Sequence, residues 1–198
     1  MSNSRVFLLR HGETEWSLSG RHTGSTDIPL TDRGRGLAKA AGDLLVRLRG
    51  DTPPVLVLSS PRSRARDTAE LAGLHVDRID ERLAEWDYGD YEGITTETIR
   101  ETVPGWTVWT HPCPNGETAE QVTARADSVL ADARAATTGG DVVLVGHGQF
   151  SRVLAARWIG LPASGGVHFA MDAPSFAVLG EERGVPQLVH VNLRALSS

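Results

Sequence analysis

Thiols, lysines and long apolar runs are what this chain has least of, and each shortage removes a class of protein. Cys113 is the single cysteine, which excludes a disulfide framework and any zinc knuckle built from thiolates. Of the 20 basic residues only Lys39 is a lysine, and the formal net charge is −5, so no basic face for nucleic acid is expected. Arginines scattered through an acidic chain suit a small anionic ligand instead. The apolar run after Arg5, Val6 to Leu9, is too short for the core of a signal peptide, and no segment approaches a membrane span. No fixed-period repeat or low-complexity tract interrupts the 198 residues, of which 40% are hydrophobic. These features predict one domain over 1–198 with one sizeable core, in a soluble, cytoplasmic protein. No pattern in the chain sets an oligomeric state.

Val6-Phe7-Leu8-Leu9 reads as a short buried strand, and Arg10-His11-Gly12 follows at its C-terminal end. Open α/β sheets put their ligand crevices at such ends. A guanidinium binds an oxyanion bidentately and an imidazole can attack phosphorus, while Gly12 leaves the backbone open to a bulky anion. Taken alone, the three residues equally fit a strand end with a capping histidine. The design recurs, however: Asp141 to Val145 is another buried strand, running into Gly146-His147-Gly148 and then a helix from Gln149 to Ile159.

Between these ends the chain alternates. Glu13 to Leu30 reads as a polar loop in which Ser17, Thr23 and Gly24 can donate to phosphate oxygens or simply make turns. Thr31 is an N-cap, and apolar residues at helical spacing run to Gly50. A strand at Val55 to Leu58 precedes Ser59-Ser60-Pro61-Arg62, where a serine cap and proline at the first helical position put Arg62 in the first turn. Arg64 and Arg66 read as a solvated face, with Glu70 one turn beyond Arg66. Leu74 to Asp80 is a weaker strand.

Glu85, Asp87, Asp90 and Glu92 sit among aromatics and glycines in a loop. A carboxyl sheltered by Trp86 and Tyr88 would lose solvation and hold its proton, as a general acid must, though composition does not say which of the four it is. A short helix from Ile94 to Thr102, a tryptophan- and proline-rich covering loop over 106–114, a helix opened by Gly116-Glu117-Thr118 and running through Ala136, and two structural strands near 175–179 and 188–193 complete the reading. His22, His75, His111, His168 and His190 show no partner pattern and are read as surface or core residues.

Together, Arg10-His11-Gly12-Glu13, Ser60-Pro61-Arg62, Glu85-Trp86-Asp87-Tyr88-Gly89 and Gly146-His147-Gly148 resemble the histidine phosphatase superfamily, the phosphoglycerate-mutase-like fold, over nearly the whole chain. Within it the chain is most similar to small acid phosphatases and the sedoheptulose-bisphosphatase branch. The resemblance implies a three-layer α/β/α fold with a mixed, mostly parallel sheet of about six strands. It also implies roles: His11 as the nucleophile that becomes a phosphohistidine, and Glu85 as the acid and base. Arg10, Arg62 and His147 would hold the equatorial oxygens, Ser17, Thr23 and Gly24 would complete the cradle, and Tyr88 and Gln149 would border it. Neither metal nor cofactor is implied, and the partner is a small phosphorylated substrate such as a sugar phosphate or bisphosphate.

Two departures matter. Serine stands at Ser17 where many relatives carry asparagine. Where mutases have a lysine and then paired arginines for a second anion, this chain has Thr96 and the tryptophan/proline loop, which favours hydrolysis over transfer. Phosphoglycerate mutase and a non-catalytic phosphate-binding module are the alternatives. The presence of every reactive residue argues against the second. Specificity is expected in residues 100–115 and the loop after Trp16.

Overall fold

A computed structural model describes residues 4–195. The first strand, β1 (Val6–Arg10), is followed by a single turn, α1 (Glu15–Leu18), and a long helix, α2 (Asp32–Arg49). Next come β2 (Leu56–Ser59), α3 (Ser63–Leu71), the two-residue β3 (Arg78–Ile79), α4 (Thr96–Thr102) and α5 (Ala119–Ala136). The chain closes with β4 (Val142–Gly146), α6 (Gly148–Trp158), β5 (Phe176–Glu182) and β6 (Val185–Leu193). The sheet order is β3-β2-β4-β1-β5-β6. β1, β2, β3 and β4 run parallel, while β5 is antiparallel to β1 and β6 to β5. This is the mixed, mostly parallel six-stranded sheet that the resemblance implies.

Strand alternation sends Val6 and Leu8 to one face and Phe7 and Leu9 to the other. Val6 and Leu8 join a core with Val122, Ala126 and Val129 of α5 and Phe150 and Leu154 of α6. Phe7 and Leu9 join a second core with Ala41 and Leu45 of α2 and Ala65 and Ala69 of α3. Both faces of the central strands are thus covered, and each buried leucine or phenylalanine contributes roughly 1.5–3 kcal/mol. Helix ends follow the sequence signals where hydroxyls are free to cap. Thr31 accepts from Gly34 N–H at 2.9 Å, and Gly50 at φ 77° ends α2. Thr118 and Gln121 form a capping box at the start of α5.

The register decides where the chemistry goes. β1 pairs with β4 so that Arg10 lies opposite Gly146, which brings the next residue of each strand, His11 and His147, side by side. β2 flanks β4 with Ser59 opposite Val145, so Ser60 arrives at the same edge.

Several elements depart from the sequence reading. α3 starts at Ser63, with Arg62 as an N-cap that makes no side-chain capping bond, because the Ser60 hydroxyl is engaged by His147 Nε2 at 2.7 Å. The third strand shrinks to two residues, and the Asp77 carboxylate, not backbone, accepts from Val57 N–H at 2.7 Å. α4 begins at Thr96 with Thr95 as its cap, not at Ile94. The 106–114 segment packs inward beneath itself, with Trp106, Val108 and Cys113 buried in the core. Burial pushes the Cys113 thiol up to about 11, leaving it inert at neutral pH. No helix among the described residues is long and apolar enough to cross a membrane.

Candidate active site

His11 and His147 meet edge to face, with ring centroids 5.2 Å apart. His11 Nδ1 lies 2.7 Å from the Gly12 carbonyl oxygen. A carbonyl only accepts, so Nδ1 carries the proton and Nε2 keeps the lone pair. Burial, reinforced by Arg10 and Arg64 and opposed by the Gly12 bond, holds the His11 imidazole well below its ordinary value. It is therefore neutral and nucleophilic at Nε2. Its frame is tight: Gly12 N–H donates to Thr68 Oγ1 at 2.9 Å, and a Cβ on Gly12 would stand 2.7 Å from the Gly34 carbonyl oxygen.

His147 is fully buried, and its Nδ1 has no partner among the described residues. The Ser60 hydroxyl accepts weakly from Arg62 N–H at 3.4 Å and lies 2.7 Å from His147 Nε2. With Ser60 as donor to Nε2, the His147 proton sits on Nδ1, a buried donor left free for an anion. Burial, then Arg64, His11, Arg10 and Arg62, hold His147 well below its ordinary value.

Both imidazoles are thus neutral when folded but bind protons near 6.5 when unfolded. Their contribution to stability is complete above that value and is lost as pH falls toward the depressed folded pKa values. Thermal melts between about pH 8 and about pH 5 are expected to show Tm dropping below roughly pH 6.5, with a smaller drop in a His147→Asn variant. Identical slopes in the two proteins would contradict this assignment.

Arg10 reaches the site from the end of β1, with Nη1 donating to the Met171 carbonyl oxygen and Nε buried without a partner. The second guanidinium against the histidines is Arg64. The sequence reading puts Arg64 on a solvated face. The structure buries it completely, donating to the carbonyl oxygens of Thr26 at 2.8 Å, Thr23 at 3.1 Å and Gly24 at 3.2 Å. Because α3 begins after Arg62, the first helical turn swings Arg64 under the site. Arg62 instead faces an adjoining groove lined by Gly24, Ser25, Glu85, Glu117 and Arg125. Arg66 is exposed as expected. Among the described residues, buried side-chain nitrogens without a hydrogen-bond partner near the site belong to Arg10, Arg62, Arg64 and His147, while Arg49 Nε, elsewhere, is ion-paired with Asp141 at 3.1 Å. The unpartnered nitrogens of Arg10, Arg64 and His147, close against His11, mark an anion site.

The four loop carboxylates separate cleanly. Glu85 is 8% exposed and lines the pocket beside His11. Its Oε1 accepts from the N–H groups of Trp86 at 2.9 Å and Phe150 at 2.8 Å, and its Oε2 from Gln149 N–H at 2.9 Å. The start of α6 thus replaces the water that burial removes. Asp87 is exposed and accepts from Gly89 N–H at 2.9 Å, Asp90 is held by Asn115 at 3.0 Å, and Glu92 binds the N–H groups of Gly24 and Thr26.

That last contact corrects a second expectation. Gly24 N–H is taken by Glu92 Oε2 at 2.8 Å, so Gly24 shapes the loop, and a Cβ there would meet the Trp86 carbonyl oxygen at 2.7 Å. Ser17 and Thr23 do line the pocket, but their hydroxyls donate to the carbonyl oxygens of Thr14 at 2.9 Å and Arg21 at 3.1 Å. Tyr88 and Gln149 border the pocket as expected. Burial, then the Glu85 charge, raise the Tyr88 phenol well above its ordinary value, so it is a neutral wall.

His22, Arg21, Thr96 and Arg152 also line the cavity, which has a volume of about 270 Å³. His22 is therefore neither surface nor core: it packs 4.6 Å from Tyr88 and bonds Thr96 Oγ1 at 3.1 Å. His75, His168 and His190 are exposed. No group of three or more histidine, cysteine or carboxylate side chains among the described residues is placed to hold a metal ion.

Comparison with known proteins finds one family and one fold. The family model described as histidine phosphatase superfamily (branch 1) matches residues 6–194. The chain is 52% identical over 191 residues to an acid phosphatase of Mycobacterium tuberculosis, covering 96% of this chain and 93% of the relative. It is 35% identical over 185 residues to sedoheptulose 1,7-bisphosphatase of Saccharomyces cerevisiae, covering 79% of this chain and 68% of the relative. A solved structure of an open reading frame from Mycobacterium tuberculosis, 52% identical, superposes with a TM-score of 0.94 over 98% of this chain and 100% of that one.

Proposed function

Since the chain belongs to the histidine phosphatase superfamily and is a phosphatase of that family, we propose that His11 and Glu85 carry the hydrolysis of a small phosphorylated metabolite, with Arg10, Arg64 and His147 as the phosphoryl clamp. The observation behind this reading is the neutral His11, its Nε2 lone pair fixed by the Nδ1 bond to Gly12, amid buried donors that lack partners.

Nε2 attacks phosphorus in line, the ester P–O bond breaks, and the leaving alkoxide takes a proton from Glu85. The resulting Glu85 carboxylate then takes a proton from water. The water oxygen attacks phosphorus, the N–P bond breaks, and inorganic phosphate leaves with His11 neutral and Glu85 protonated again. The Arg10 and Arg64 guanidiniums and His147 Nδ1–H offset the charge that spreads over the equatorial oxygens. Arg64 also keeps the Thr23–Thr26 loop in place through its three carbonyl contacts. Arg62, on the flank, adds field but faces the neighbouring groove.

The name of the mycobacterial relative, acid phosphatase, fits a nucleophile that stays unprotonated as pH falls. The test is a phosphate-release screen over sugar mono- and bisphosphates, phosphoglycerates and nucleotides, from acid to neutral pH with EDTA present. Release that withstands EDTA is expected. Release that stops with EDTA and returns with a divalent cation would overturn a clamp built of guanidiniums alone.

A further inference from the structure

Glu85 stands between two openings: it lines the pocket beside His11 and also the groove that Arg62 faces. Its backbone lies in neither helix nor strand, so no ladder of main-chain bonds holds it. The N–H groups of Trp86, Gln149 and Phe150 fix the far end of the side chain. Something else must fix the near end, or the carboxyl could turn toward either opening.

Arg125 of α5 does this from the groove side. Nη1 donates to the carbonyl oxygens of Arg82 at 2.8 Å and Ala84 at 2.6 Å, and Nη2 to that of Glu85 at 3.3 Å. Nε and Nη2 donate to Glu117 Oε1 at 2.9 Å and Oε2 at 2.7 Å, which uses every N–H of the guanidinium. The same guanidinium lies 4.0 Å over the Phe150 ring, and Phe150 N–H is the donor 2.8 Å from Glu85 Oε1. One planar cation thus touches both the backbone of Glu85 and a residue that holds its carboxylate. Glu117 extends the grip: Oε2 accepts from Asp87 N–H at 3.1 Å, its own N–H donates to the Asp87 carbonyl oxygen at 3.0 Å, and its carbonyl oxygen accepts from the Trp86 indole at 3.1 Å. Arg125 and Glu117 line the groove and not the pocket, and the charge of Arg125 is spent on Glu117. Any influence on the chemistry therefore runs through Glu85.

We propose that Arg125, braced by Glu117, is a positioning residue for proton transfer: it keeps the Glu85 carboxyl within reach of the leaving oxygen and out of the groove. This rests on the reading of Glu85 as general acid and base given above. A proton passes only to an atom within hydrogen-bond reach, and a misplacement of an ångström can cost about 10²-fold.

The test compares two esters that differ in their need for a proton. kcat/KM reports the steps through cleavage of the ester bond, where p-nitrophenolate leaves unaided and the benzyl alkoxide must be protonated. Arg125→Met should lower kcat/KM for benzyl phosphate by about 10–10²-fold and for p-nitrophenyl phosphate far less. Loss of folded enzyme would lower both alike. Arg125→Lys, which keeps the charge without the planar fork, should recover part of the difference, and Glu117→Gln should shift it in the same direction as Arg125→Met. In a Glu85→Gln background, Arg125→Met should add little to the difference already present. Equal losses with both esters, or an undiminished further loss once the Glu85 carboxyl is gone, would overturn the positioning role. Amide exchange reads the same role without the chemistry. The Gln149 and Phe150 N–H groups, at a helix start with no intrahelical partner, should exchange severalfold faster in folded Arg125→Met, and unchanged exchange would also overturn it. If Glu85→Gln itself fails to distinguish the esters, the acid assignment of Glu85 falls and exchange alone decides the positioning role. If Arg125→Met does not fold, Glu117→Gln and Arg125→Lys carry both measurements.

Discussion

A His11→Ala variant is expected to lose turnover of p-nitrophenyl phosphate by on the order of 10⁴-fold or more, because the proposed phosphoryl acceptor is gone. The wild-type enzyme, mixed with substrate and quenched in alkali, should carry phosphate in an acid-labile linkage, and the variant none. The fold should survive, since the ring of His11 contributes little to either core while its backbone N–H still donates to the Gly146 carbonyl oxygen at 2.9 Å. Near-normal turnover in a folded variant would remove His11 from the mechanism. Labelling on a different residue would move the nucleophile elsewhere.

Glu85→Gln has the second largest expected effect, and its size depends on the leaving group. For alkyl phosphates kcat should fall about 10²–10⁴-fold, the range for losing a positioned general acid. For p-nitrophenyl phosphate the first step is less affected, because a phenolate leaves without a proton. The second step then loses its base, so phosphoenzyme should build up in a burst followed by slow release. Rapid-quench measurement of the phosphoenzyme reads this directly, and an equal loss with both leaving groups and no burst would exclude the assigned role. The substitution also turns an acceptor into a donor in front of Gln149 N–H, now 2.9 Å from Oε2. A destabilisation of about 1–3 kcal/mol should accompany the kinetic change.

Much of this site can be read in the chain because it depends on strand ends. An apolar run followed by a histidine between small residues marks a buried strand and its tip, and parallel pairing of two such strands does the rest. The clamp was harder to read. Ser60-Pro61 has the form of a helix start, but the Ser60 hydroxyl serves His147, so the helix begins at Ser63. Arg62 stays outside the helix with extended backbone and Arg64 lies in its first turn, so the position of the start decides which of them faces the histidines. Spacing alone does not report a tertiary hydrogen bond of this kind. Gly24 shows the same limit, since its N–H is claimed by Glu92, 68 positions away in sequence. Arg152 of α6 is a further case: it lies 4.6 Å over the Trp109 ring and donates to the Gly166 carbonyl oxygen at 2.9 Å, contacts that helical spacing does not report.

The groups that handle phosphorus and those that frame the rest of the substrate come from different parts of the architecture. His11 and His147 extend from adjacent strands in the middle of the sheet, paired on both sides and covered on both faces. Arg21 and His22 belong to a connecting segment and Thr96 to the start of α4, all outside the sheet. Changes in those segments can therefore redirect what the enzyme accepts while the bond-breaking centre stays as it is, so one scaffold can serve many different phosphate esters.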